Sequence, residues 1–162
     1  MAALIWLPEE IVAACAADAD RHYPLESGGV LLGYRVDDQV VVTAMITGGD
    51  GGLRTRTSYR PDLGWQNAQI AAHYELSERR DEYLGDWHTH PDTTTAYLSA
   101  ADRAVLKRII RTPQARCPKP VMAVLAGAHG SWRMSAWSAE LRQRWFGSRV
   151  TLKTLDVRTY ER

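Results

Sequence analysis

The chain has 162 residues, 45% of them hydrophobic and 24% charged, a balance that excludes a disordered protein and provides for one ordinary core. No apolar run approaches the length that crosses a bilayer, and the stretch from Met1 to Pro8 has neither the basic leader nor the long apolar segment of a secretory signal. The expectation is a single domain over residues 1–162, cytoplasmic and with no membrane partner.

The net charge of +1 conceals an asymmetry, since residues 1–102 carry 7 basic and 16 acidic side chains and residues 103–162 carry 13 and 3. One folded domain intermixes such halves on its surface, and aromatic residues do not interleave with the basic groups as a stacking platform requires, so a nucleic-acid partner is not expected. Cys15 and Cys117 lack C-x-x-C spacing and read as reduced thiols.

In chain order, Pro8-Glu9-Glu10 opens a helix over about residues 8–20, with Ile11, Cys15 and Ala19 recurring every four residues. Residues 28–34 and 39–46 read as a hairpin turning at Asp37-Asp38. Residues 47–58, with four glycines and with Arg54 and Arg56, read as a mobile loop leading to a short strand; solvated connection and substrate cover are equally open for it. Asp62 caps a second helix with Trp65, Ile70, Tyr74 and Leu76 among its apolar positions. A strand over 83–91 stops at Pro91, Ser99 opens a third helix ending at Thr112-Pro113, and strands near 120–126 and 131–138 precede a short helix and a last strand near 149–155. The fold class is α/β (α+β), a mixed, partly antiparallel sheet with helices packed on it.

His88 and His90 stand two apart on a strand, so both imidazoles project from one face. Asp102, twelve residues beyond His90, lies in the first turn of the next helix, and a loop over 92–98 is long enough to fold that turn back over the strand end. Two imidazoles and a carboxylate suit zinc and leave a fourth tetrahedral position open to water, the arrangement of a catalytic rather than a structural site. Glu26, just before Ser27-Gly28-Gly29, is the candidate general base, although sequence distance alone does not bring it to the metal. Ser99 is a candidate donor to a developing oxyanion. Ser99 and Asp102 also fit a helix-capping pair, and Asp102 is not expected to cap and ligate at once. Asp86 shares the alternation of the histidines and is read as hydrogen-bonding a neighbouring strand, while His22, His73 and His129 have no paired ligand pattern.

These residues resemble the JAMM or MPN-type metalloproteases in their prokaryotic JAB branch. Glu26 stands in Pro24-Leu25-Glu26-Ser27-Gly28-Gly29, similar to that family's glutamate segment; His88-Thr89-His90-Pro91, seven residues, Ser99, two residues and Asp102 complete its pattern without a gap. The resemblance covers about residues 5–140. It implies an MPN/JAB domain with cytidine deaminase-like layering, one Zn2+ held by His88, His90 and Asp102, Glu26 as acid and base, and Ser99 as oxyanion support. It further implies cleavage after the C-terminal tail of a ubiquitin-like protein or similar conjugate, in the company of conjugation enzymes of the same operon, as in anti-phage systems. A non-catalytic scaffold for a partner protein and a processing peptidase for a sulfur-carrier protein are the alternatives. A nucleoside deaminase would need His-x-Glu and Pro-Cys-x-x-Cys segments, and neither is present.

Overall fold

The computed structural model describes residues 3–162. Its strands and helices follow the order β1 (Leu4–Pro8), α1 (Glu9–His22), β2 (Gly28–Val36), β3 (Gln39–Thr47), β4 (Leu53–Arg54), β5 (Tyr59–Arg60), α2 (Leu63–Leu76), β6 (Glu82–Pro91), α3 (Ala100–Arg111), β7 (Val121–Ala128), β8 (Ser131–Gln143) and β9 (Ser148–Tyr160). A 3-10 turn over Pro113–Ala115 lies between α3 and β7. Seven strands run in the spatial order β1-β3-β2-β6-β7-β8-β9, and β1 pairs with β9 to close the sheet into a barrel. β1 is parallel to both β3 and β9, β6 is parallel to β7, and the remaining neighbours are antiparallel. The mixed sheet is as expected; its closure is not, because no strand was expected ahead of the first helix, where β1 lies. Pro8 ends that strand, and α1 starts at Glu9.

Alternation along β7 divides the core. Val121, Ala123 and Leu125 face one cluster with Ile5, Leu7, Leu31, Val42, Trp87 and, from α1, Cys15. Met122 and Val124 face a second cluster with Leu106 of α3 and Leu98. A strand buried on both faces reads as one continuous apolar run, as β7 does. Cys15 and Cys117 are buried free thiols, and burial raises both, Cys117 to about 11.

Three local expectations fail. No helix separates β8 from β9; β8 continues through Gln143 and pairs with β9 as far as Gln143↔Ser148, so strand pairing overrides the helix-forming residues near Glu140 and Leu141. At the tip of this hairpin Trp145 and Phe146 stand 93% and 90% exposed, beside Arg144 and Arg149, so aromatic and basic groups do interleave at this one place. Helix α2 buries Gln66 rather than an apolar stripe: Gln66 Nε2 donates to the Thr47 carbonyl at 3.1 Å, while Trp65 and Leu76 are exposed.

The glycine-rich segment is tied down. Strands β4 and β5 pair, Arg54 donates to the carbonyls of Gly52 and Gly49, and its guanidinium lies 5.8 Å from the Tyr59 ring centroid. Asp62 N–H donates to the Gly48 carbonyl at 2.8 Å, and Asp62 Oδ1 accepts from Trp65 N–H at the start of α2. Arg54 is therefore engaged within its own loop, whereas Arg56 lines the neighbouring cleft.

Candidate metal centre and active site

Strand β6 places His88 and His90 on one face, each 8% exposed, with their Nε2 atoms 3.0 Å apart. Trp87, which precedes His88, points into the opposite core. The loop after Pro91 returns the first turn of α3 to this face, where Asp102 Oδ1 lies 3.2 Å from His88 Nε2 and Oδ2 lies 3.6 Å from His90 Nε2. One ligand atom from each of the three residues falls within 4.8 Å of the others.

Asp102 is at the same time the third residue of a capping box. Ser99 N–H donates to Asp102 Oδ2 at 2.8 Å, and Asp102 N–H donates to Ser99 Oγ at 3.1 Å. The cap is present, and it leaves room for ligation, because a carboxylate has two oxygens and about four acceptor sites. Burial opposes its charge, but hydrogen bonding from both histidines and from the Ser99 amide holds its carboxyl well below the usual range. Ser99 Oγ accepts one hydrogen bond here and keeps its own hydroxyl hydrogen for another partner.

Pairing between β2 and β6 brings Glu26 to the site. Gly28 is opposite His88, Ser27 N–H donates to Thr89 Oγ1 at 2.9 Å, and Thr89 N–H donates to the Ser27 carbonyl at 2.9 Å. A Cβ at Gly28 would stand 2.4 Å from the Trp87 carbonyl oxygen and 2.9 Å from His88 Cβ, so only glycine permits this approach. The Glu26 amide donates to the Thr55 carbonyl at 2.8 Å, and Tyr23 Oη donates to Asp92 Oδ1 at 2.6 Å, fastening the end of α1 beyond β6. Burial raises the Glu26 carboxyl; the charges of His88 and His90 oppose that rise and the charge of Asp102 adds to it.

Glu26, His88, His90, Ser99 and Asp102 thus line one cleft of about 1240 Å3, which runs between α2 and α3 over the sheet. Sequence reading missed Tyr97, whose ring centroid is 5.2 Å from that of His90, and Thr93, whose hydroxyl donates to the His90 carbonyl at 2.9 Å. Both sit in the polar loop, where no periodicity marks them. Asp86 also lines this cleft, and its hydrogen bond comes from Tyr83 of its own strand, at 2.7 Å, rather than from a neighbouring one. His22 and His73 are engaged away from the site, with Asp18 and with Asp81.

The donor set fits a divalent metal. Two imidazole nitrogens at 3.0 Å and a carboxylate converge on one point, where their lone pairs repel unless a cation or a proton lies between them. Nitrogen and oxygen donors in this number suit zinc among the common metals.

The model of the prokaryotic homologs of the JAB domain matches residues 8–140 of this sequence. The chain belongs to that family. This JAB protein is 44% identical over 163 residues, 99% of each chain, to "Probable metalloprotease y4qB" of Sinorhizobium fredii. It is 34% identical over 89 residues, 55% of this chain and 56% of the other, to "CD-NTase/cGAS isopeptidase" of Vibrio cholerae. Among solved structures, protein DSY2949 from Desulfitobacterium hafniense superposes with a TM-score of 0.66 at 18% identity, covering 98% of this JAB protein and 94% of that chain, a likeness of fold. The family and these relatives make it a JAMM-type metallopeptidase. No helix among the described residues is long and apolar enough to cross a membrane.

Proposed function

We propose that this protein is a zinc isopeptidase or peptidase that cleaves after the extended C-terminal tail of a ubiquitin-like protein or a similarly conjugated protein. The observation that carries the reading is the convergence of His88, His90 and Asp102 in a cleft whose other polar lining includes Glu26 and Ser99. The isopeptidase name of the Vibrio relative supports a conjugate as substrate, supplied by conjugation enzymes of the same operon.

In this reading His88, His90 and Asp102 hold zinc. When bound there, zinc supplies Lewis-acid chemistry, acidifying water and polarising a carbonyl. Glu26 accepts the proton of the attacking water and passes it to the departing amine, a task that a raised carboxyl performs better than an ordinary one. Ser99 directs its free hydroxyl hydrogen at the developing oxyanion. The Ser99–Asp102 cap fixes the start of α3, so donor and ligand keep their places relative to β6. Residues 1–162 act as one catalytic domain, and the reaction belongs to the cytoplasm.

The test uses a ubiquitin-like protein joined through its C-terminal glycine to a target amine and followed by intact-mass spectrometry. The zinc-loaded wild-type protein converts it to free tail and free amine, while Glu26→Gln leaves it intact. Equal cleavage by Glu26→Gln removes Glu26 from the mechanism, and an intact conjugate with the wild-type protein contradicts the substrate assignment.

A further inference from the structure

We propose that Asp86 is a specificity-determining residue, forming a subsite in the cleft for a basic side chain, lysine or arginine, of the substrate. This rests on the peptidase reading above and deepens it. Asp86 lies on the face of β6 that carries His88 and His90, because residues two apart on a strand share a face. Strand rise puts it roughly 7 Å from His88, about the reach of one extended lysine side chain.

Its surroundings are those of a receptor for charge. Val30 and Met122 flank it on the neighbouring strands, and Leu63, Ile70, Val105 and Ile109 line the same cleft. A carboxylate set among such groups is unfavourable unless hydrogen bonds or an opposite charge satisfy it. Two other acids, one buried and one at the surface, show the alternative, a carboxylate satisfied by several internal donors. Asp81 accepts from Arg80, Thr43 and His73, and Asp20 accepts from Gly130 N–H and Trp132 Nε1. Asp86 has the Tyr83 hydroxyl as its one side-chain partner and no ion pair among the described residues, although Arg108 lines the same cleft. The fold thus keeps an acceptor-rich carboxyl group beside the metal ligands with most of its bonding capacity unused, open to a donor from the cleft.

The local geometry also keeps the carboxylate in place. The register of β2 against β6 shifts between Leu31 and Leu32, opposite Gly85 and Tyr83. That bulge turns Tyr83 toward the cleft as well, where its hydroxyl donates to Asp86 Oδ1 at 2.7 Å. Oδ1 is held by one bond, and Oδ2 remains for an ammonium or guanidinium.

The test is a library of internally quenched peptides with lysine, norleucine or glutamate placed in turn at each of the three positions on either side of a glycyl bond. The zinc-loaded wild-type protein should prefer lysine over norleucine at one position by about tenfold in kcat/KM, the effect of one charge-assisted hydrogen bond to an enclosed carboxylate. Asp86→Asn keeps the Tyr83 bond and should lower that ratio to near one, without lowering the thermal midpoint. Asp86→Lys should favour glutamate at the same position, an inversion that a merely structural role would not produce. A wild-type ratio near one at every position, or a lysine preference that survives in Asp86→Asn, overturns the subsite while leaving the peptidase reading intact. Absence of cleavage of every peptide by the wild-type protein counts against the peptidase reading, and the subsite falls with it.

Discussion

Asp102 faces Ser99 and His88 at once: Oδ2 accepts the Ser99 amide at 2.8 Å while Oδ1 stands 3.2 Å from His88 Nε2. Helix capping and the proposed metal ligation therefore share one side chain, and substitutions can separate them. Asp102→Asn retains an acceptor for the Ser99 amide and should therefore be more stable without metal than Asp102→Ala, yet weaken zinc binding. Asp102→Ala should lose zinc and also about 1 kcal/mol of stability from the cap. Chemical denaturation without metal, paired with zinc titration, checks both.

Ser99 also has two uses, as acceptor from Asp102 N–H and as prospective oxyanion donor. Ser99→Ala should cost about 1 kcal/mol of stability and lower kcat by roughly 10²-fold to 10³-fold. Ser99→Thr keeps both functions of the hydroxyl and should restore most of the activity. Steady-state kinetics beside thermal melts distinguishes them, since loss of the cap alone would lower the thermal midpoint and spare kcat.

Much of the site was legible in the sequence, and the reason is local. The two-residue period of β6 puts His88 and His90 together, and a helix start three residues long fixes Ser99 against Asp102. Glu26 was not placed by any local rule, because its position depends on the register of Gly28 against His88, a contact across sixty residues. Barrel closure escaped for the same reason, since β1 becomes a strand only through pairing with β3 and with the distant β9. Helix α2 misled because its apolar residues sit at helical positions that face open cleft and solvent.

Glu26 carries a stability consequence of its own. Burial raises its carboxyl above 4.5, so the folded state favours the protonated form. That preference contributes stability below pH 4.5 and is lost as pH rises through the folded value. Glu26→Gln should therefore raise the thermal midpoint of the metal-free protein at pH 7, by about 2 °C, and the gain should vanish below pH 4. A midpoint difference that does not depend on pH would rule out this electrostatic origin.

Asp81 provides the opposite sign. Burial works against its charge, but hydrogen bonds from Arg80, Thr43 and His73 prevail and lower it from 3.8 to about 2. Its contribution is fully present above pH 3.8 and is lost as pH falls toward about 2. Because its side chain is 1% exposed and joins α2 to β3 through His73 and Thr43, Asp81→Asn should destabilise by about 3 kcal/mol at pH 7. Urea unfolding at pH 7 and at pH 2 should show that difference shrink in acid.

The central claim is that His88, His90 and Asp102 bind the metal and that Glu26 does not. Native mass spectrometry of the wild-type protein, Glu26→Gln and His88→Ala, each purified without chelator and supplied with equimolar zinc, measures this directly. One zinc per chain is expected in the first two proteins and none in the third. A wild-type chain that takes up no zinc, or a His88→Ala chain that holds it as the wild type does, would contradict it.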